Sequence, residues 1–398
     1  MQLAQGMARL GTESAFEVLA RAKALEAQGR DIINLGIGQP DFSTPKHIVE
    51  AAKKALDDGH HGYTPGNGIA PLRQAVAADI RNFRGVEVDP DDIVIVPGGK
   101  LTMFYAILMF GEPGAEILYP NPGFPIYQSV IEYTGAKAVP IPLREDNGFA
   151  FDAAEVIGKI TPATRLLIVN SPANPTGGVV PRPEFDRLAE GLERHPHVAV
   201  LSDEIYGRLL YDRAEFVTML GYQSLRDRLI VLDGWSKTYA MTGWRIGYGV
   251  WPRPWAELAT RLNINSISCT NAPTQYAAIA ALEGPQDAVE TMRQAFDERR
   301  KVIVDATNDV PGMSSITPEG AFYTMANIKG TGLSSKQMES LLLDELGVAT
   351  VAGTSFGSFG EGYIRFSYAN SVDNIREALA RIRDHALAQG WGEQAKTG

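Results

Sequence analysis

The sequence predicts an α/β protein: a mostly parallel central sheet in a large domain, 46–285, with a smaller α+β domain assembled from 1–45 and 286–398. Three observations carry this reading. Short apolar runs at Ile93–Val96, Leu166–Val169, Val198–Leu201 and Leu229–Leu232 are separated by helix-length segments, the alternation of a sheet covered by helices on both faces. Past about residue 285 the pattern changes to long helical segments and two late apolar runs. A chain of 398 residues is long enough to bury one large core and a smaller one.

Taken in order, residues 14–29 space Val18, Ala22 and Leu25 at helical intervals and stop at Gly29, which predicts a helix. Ile32–Leu35 reads as a short strand. It leads into Gly36-Ile-Gly-Gln-Pro-Asp41, whose glycines let backbone approach a ligand and which serves equally as a plain strand-ending turn. Helical periodicity at 47–58 and 70–83 opens the alternating region. Near the end, Val348–Val351 and Ile364–Ser367 read as strands, and Ile375, Leu379 and Ile382 mark a final amphipathic helix. No internal repeat or low-complexity linker is visible.

Composition excludes several function classes. With 37 basic and 47 acidic residues the net charge is −10 and no basic block stands out, so nucleic acid and anionic membrane are poor partners. The longest strongly apolar run, Leu101–Phe110, is too short to span a bilayer, and the first residues lack a charged stretch followed by an apolar one. A cytoplasmic location is expected. The single cysteine, Cys269, forbids an intrachain disulfide and reads as a small buried hydrophobe.

The segments that follow the apolar runs carry the chemistry. They are Pro97-Gly-Gly-Lys100, Asn170-Ser-Pro-Ala-Asn-Pro-Thr-Gly177, Ser202-Asp-Glu-Ile-Tyr206, and Asp233-Gly-Trp-Ser-Lys237 continuing to Arg245. Open α/β sheets bind ligands at the carboxyl ends of their strands, so these four loops are expected to meet at one site. A lysine at the end of a core strand suits covalent chemistry through a neutral amine. Alone, the segment is equally compatible with a surface loop carrying an incidental Lys and Arg. Together the loops offer a lysine, a carboxylate, a phenol, an amide, an arginine suited to phosphate, and a glycine turn opening a helix, the set that pyridoxal phosphate needs.

Asn174-Pro-Thr-Gly177, Ser202-Asp-Glu-Ile-Tyr206, Ser236-Lys-Thr-Tyr-Ala-Met-Thr-Gly-Trp-Arg245 and Tyr363-Ile-Arg365, in that order, resemble the fold type I, class I/II aminotransferases, and more closely the bacterial branch containing prokaryotic aspartate aminotransferases. The resemblance runs from about Asn34 to about Asn370. It implies a fold type I pyridoxal-phosphate transferase that moves an amino group between an L-amino acid and a 2-oxo acid, possibly of the aspartate/glutamate type. In it Lys237 is the Schiff-base lysine and proton carrier, Asp203 the partner of the pyridine nitrogen, and Asn174 and Tyr206 the donors to the ring oxygen. Alone, Asp203 reads as a helix cap, Asn174 as turn chemistry and Tyr206 as core.

The resemblance further implies a phosphate cradle of Arg245, Ser236 and the backbone of Gly99 and Lys100, where a helix begins. Phe124 falls where the family stacks an aromatic, Trp or Tyr in several relatives, and loss of that polar edge bears on substrate preference. Tyr63 matches a tyrosine that reaches the neighbouring subunit's phosphate, which implies a homodimer with shared sites. Arg365 matches the clamp for the substrate α-carboxylate, with Gly38 and Asn174 beside it. For a second carboxylate, the better-known aspartate aminotransferases place an Arg within the stretch aligned with Asn263–Asn271, and this chain has none there. Relatives in this branch use a lysine at the position of Lys100. A cation at a helix start opposes the dipole, which favours an anion-binding task for it.

Other readings remain at this stage: a lyase, decarboxylase or oxidase on the same cofactor scaffold, and a non-catalytic binding module of that fold. Gly353-Thr-Ser-Phe-Gly357 has the G-x-S-x-G spelling and admits a hydrolase built on Ser355, although a turn is the simpler account. The six histidines lack metal-ligand spacing, and no metal is expected.

Overall fold

The structure, a computed structural model, describes residues 1–392. In chain order its strands are β1 (Ile33–Asn34), β2 (Ile93–Val96), β3 (Glu116–Asn121), β4 (Lys137–Pro142), β5 (Thr164–Asn170), β6 (Ala199–Asp203), β7 (Leu229–Gly234), β8 (Gly247–Val250), β9 (Tyr323–Asn327), β10 (Val348–Ala349), β11 (Val351–Ala352) and β12 (Tyr363–Ser367). Seven form the central sheet in the order β2-β8-β7-β6-β5-β3-β4. All its neighbours are parallel except at β8, which runs antiparallel to β2 and β7. The α/β class and mostly parallel sheet read from the sequence are therefore present.

The runs are apolar throughout because helices cover both faces. Ile93 and Ile95 join one core and Val94 and Val96 the other; Leu229 and Val231 part from Ile230 and Leu232 in the same way. A third core joins Ile33 and Leu35 of the N-terminal segment to Phe296, Phe322, Ile364, Ile375, Leu379 and Ile382. The three-stranded antiparallel sheet β11-β12-β9 lies within this C-terminal part of the chain.

Several boundaries differ from expectation for physical reasons. The first long helix ends at Glu26, and Ala27-Gln28 turn through Gly29 at φ 86°. Helices at Lys46–Asp57 and Ala70–Arg84 match the two read from periodicity. Sequence reasoning passed over β3, β4, β8 and β9. Two prolines in β4 lower its strand signal, and they are tolerated because β4 is an edge strand. The run Val348–Val351 divides between two sheets: β10 pairs in parallel with β1, and β11 antiparallel with β12.

Register sets the site. Asn170 at the end of β5 pairs with Asp203 at the end of β6, and Asp203 pairs with Leu232 of β7. The carboxyl ends of three parallel strands thus deliver an amide, a carboxylate and the lysine segment to one edge.

Candidate active site

At that edge lies a cavity of about 470 Å³ lined by Gly38, Gly99, Lys100, Phe124, Asn174, Asp203, Tyr206, Ser236, Lys237, Arg245 and Arg365. Every proposed site residue except Tyr63 lines it. Tyr63 is 92% exposed, and the neighbouring Thr64 N–H donates to Cys269 Sγ at 3.4 Å, so that half-buried thiol accepts a hydrogen bond rather than lying wholly inside the core.

Lys237 sits in the short helix Trp235–Thr238 that begins as β7 ends. Its Nζ donates to the Gly38 carbonyl at 2.6 Å and lies 5.9 Å from the centre of the Tyr206 ring. Burial lowers its pKa to about 8; Glu13 pulls upward, while Arg365, Arg245 and Lys100 push further down. An amine in this state loses its proton far more readily than an exposed lysine.

Asp203 is buried and faces no cation. Tyr127 Oη donates to its Oδ2 at 2.6 Å and the Ile205 N–H to its Oδ1 at 3.3 Å. Burial raises its pKa to about 6, these two hydrogen bonds opposing. Behind it, Asn170 donates to the Asp203 carbonyl at 3.0 Å and accepts from the Asn174 N–H at 3.0 Å, tying two loops together. Tyr206 and Tyr323 share a hydroxyl contact of 2.9 Å. Tyr127, Asn170 and Tyr323 were not singled out from the sequence; strand pairing brings Asn170 and Tyr323 to the site and the helix Pro125–Thr134 brings Tyr127, neither visible in spacing.

Arg245 stands at φ 52°, with Nη1 donating to the Thr242 carbonyl at 2.8 Å. Its guanidinium abuts Gly98, where an added Cβ would lie 2.1 Å from Nη2 and where φ is 84°. Only glycine fits there. Gly99 caps the helix Lys100–Phe110 without any side-chain cap, so backbone N–H groups, a guanidinium and the Ser236 hydroxyl border the same space.

Arg365 of β12 is 3% exposed and lies between the rings of Tyr323 and Phe356, 4.6 and 4.7 Å from their centres. Nη1 donates to Asn174 Oδ1 at 3.0 Å and Nη2 to the Gly36 carbonyl, while Nε is buried without a partner. Such a guanidinium retains capacity for an anion. With Asn174 Oδ1 taken, its amide N–H groups are what remain to donate. At the mouth, Lys100 Nζ lies 2.9 Å from Glu13 Oε2 and 5.1 Å from the Phe124 ring centre.

The donor set fits pyridoxal phosphate: a low-pKa lysine, a buried carboxylate lacking a counter-cation, and an anion cradle. Ser355 Oγ, by contrast, has no hydrogen-bond partner among the described residues, and a hydrolase would require a base bonded to it. Among the described residues no cluster of His, Cys, Asp or Glu is placed to hold a metal.

Fold and cavity together fit the class of α/β enzymes that take a phosphate-bearing ring beside a lysine. Residues 30–382 match the family described as aminotransferase class I and II, and the chain belongs to it. It is 39% identical to an aspartate aminotransferase of Pyrococcus horikoshii, the match covering 92% of each chain. It is also 39% identical to aromatic-amino-acid aminotransferase 2 of Thermococcus litoralis, over 89% of this chain and 92% of that one. Among solved structures, the aspartate aminotransferase from Thermus thermophilus with maleate superposes with a TM-score of 0.92 at 33% identity, covering 96% of this chain and 99% of that one. The chain is a pyridoxal-phosphate-dependent aminotransferase, with amino acids and 2-oxo acids as substrates.

Proposed function

We propose that this enzyme transaminates acidic amino acids, moving the amino group of aspartate or glutamate to a 2-oxo acid. The observation that carries the reading is Lys100: its partly exposed amine lines the same cavity as Arg365 and already engages a carboxylate, that of Glu13, at 2.9 Å. Relatives named aspartate aminotransferase support it.

Bound pyridoxal phosphate supplies an electrophilic carbon that captures the substrate amine and a ring that accepts the charge left at Cα. The chain's residues do the rest. Arg365, with the Gly38 backbone, holds the α-carboxylate, and Lys100 the distal one. Lys237, lowered to about pKa 8, removes the Cα proton as a free amine and returns it on the opposite side of the reaction. Asp203 would keep a proton on the ring nitrogen, Asn174 and Tyr206 would donate to the ring oxygen, Phe124 would flank the ring, and Arg245, Ser236 and the backbone N–H groups of Gly99 and Lys100 would hold the phosphate.

We further infer a homodimer, in which the 92% exposed Tyr63 serves the neighbouring subunit's phosphate site. The large unit is assigned to 46–285 and the smaller to 1–45 with 286–398, since most of the third core is built from Ile33, Leu35 and residues from Met292 onward, with Tyr206, Leu209 and Tyr211 joining it from the larger unit. No helix among the described residues is long and apolar enough to cross a membrane, which accords with a cytoplasmic site of action.

The test is Lys100→Ala with paired substrates. The kcat/KM for aspartate and glutamate should fall by roughly 10- to 100-fold, the loss of one charge-assisted contact, relative to that for alanine or phenylalanine. Unchanged turnover of acidic substrates overturns the assignment.

A further inference from the structure

We propose that Glu13 is an internal counter-charge for Lys100 that sets side-chain specificity, staying in place for substrates without a distal carboxylate and giving way to those that carry one. The inference rests on Lys100 being the distal-carboxylate site.

Glu13 immediately precedes the helix Ser14–Glu26, where a carboxylate commonly caps the backbone, yet it makes no capping hydrogen bond. Its Oε2 instead crosses 87 residues of sequence to Lys100 Nζ at 2.9 Å, inside the cavity wall. The Glu13 side chain is 20% exposed and that of Lys100 42%. An amine in this position with no anion beside it would face a neutral or aromatic substrate across the Phe124 ring, 5.1 Å away. Glu13 supplies the missing charge in that case. When the substrate brings its own carboxylate, two anions compete for one ammonium, and like charges cannot both remain.

The exchange is local. Arg9 Nε donates to the Glu132 carbonyl at 2.7 Å and the Gly11 N–H to Ser129 Oγ at 2.9 Å, anchoring the segment before Glu13. The helix Ser14–Glu26 fixes the segment after it, with Val18 and Ala22 buried. Glu13 can therefore leave Lys100 by rotating its own side chain. A partly exposed pair is weak, so a substrate carboxylate clamped at its other end by Arg365 displaces it readily. A single cavity can then accept both classes of side chain without leaving a charge unmatched.

The experiment uses the cofactor-loaded enzyme and compares Glu13→Gln, Lys100→Ala and the double variant, with aspartate, glutamate, alanine and phenylalanine as donors and maleate as a non-reacting dicarboxylate. Glu13→Gln should lower KM for aspartate and glutamate, and the inhibition constant of maleate, about three- to fivefold, and raise KM for phenylalanine by a similar factor, with kcat little changed. Adding Glu13→Gln to Lys100→Ala should then leave the acidic-to-neutral ratio where Lys100→Ala put it. A Glu13→Gln variant with an unchanged ratio, or one that shifts it equally without Lys100, overturns the role of Glu13. If Lys100→Ala itself leaves acidic turnover intact, it is the assignment of Lys100 that falls.

Discussion

Two lysines border the same cavity and their surroundings give them opposite work. At the floor, Lys237 is rooted where β7 becomes a helix, meets only a carbonyl, and has its pKa lowered to about 8 by burial. At the mouth, Lys100 opens a helix, reaches solvent, and has its charge answered by Glu13 at 2.9 Å. Desolvation prepares an amine to release its proton; an ammonium at a solvent-open mouth, paired with a side chain that can turn away, is suited to exchanging one carboxylate for another. In the proposed reading the floor governs chemistry and the mouth selectivity, a division that substitutions can break.

The largest effect is expected at the floor. Lys237→Ala should lower kcat by at least ~10⁴-fold, since in the proposed reading it removes both the covalent anchor and the proton carrier, and should abolish the visible absorbance of the loaded enzyme. Substitutions at Lys100 or Glu13 should leave that absorbance in place. The cofactor-free protein offers a second readout. The folded pKa of about 8 lies below the unfolded ~10.4, so the lysine's contribution to stability is present above ~10.4 and lost as pH falls through about 8. Lys237→Met should accordingly stabilise the cofactor-free protein at pH 7, by about 3 kcal/mol, and the difference should close above pH ~10.4. Denaturant titrations at the two pH values measure it.

Next comes Asp203→Asn. A carboxylate near a ring N–H⁺ is worth ~4 kcal/mol at an effective dielectric of ~20, so kcat should fall by about 10³-fold. Without the cofactor the sign reverses. Burial raises Asp203 to about 6, above the unfolded ~3.9, so its contribution is present below ~3.9 and lost as pH rises through about 6. The Asn variant should thus be the more stable cofactor-free protein at pH 7, the two converging near pH 4, as thermal melts in both states would read. A loss confined to acidic substrates would break the assignment of Asp203 to the floor.

Much of the floor was legible in sequence because its parts follow apolar runs directly: Lys237 after Leu229–Leu232, Asp203 after Val198–Leu201, Gly99 after Ile93–Val96. Strand ends fix where such residues go. Asn170 and Tyr127 escaped notice because their tasks depend on register and on a helix packed across the sheet, neither of which leaves a local pattern. β8, with two glycines in Gly247–Val250, gave too little apolar signal to be seen as the antiparallel strand that lies between β2 and β7. The mouth was legible only in part. Lys100 was marked by the resemblance, but Glu13 looks like any residue before a helix, and only the folded chain brings it across 87 positions to the cavity.

Tyr127→Phe is the finest probe of the division. The phenol is buried and donates to Asp203 Oδ2 at 2.6 Å, one of two donors that oppose the effect of burial on that carboxylate. Removing the hydroxyl keeps the ring and its edge contact with Phe124, 5.8 Å between centres, so packing is largely retained. What changes is the charge held by Asp203. A hydrogen bond to a charged acceptor contributes about 1.5–3 kcal/mol, of which water admitted to the cavity restores part, so kcat should fall roughly tenfold. Because the lost donor favours the ionised form, the acid limb of the pH profile should move to higher pH. Through all of this the ratio of acidic to neutral substrates should not move, since neither Lys100 nor Glu13 is touched; a shift in that ratio would show that floor and mouth are one coupled network.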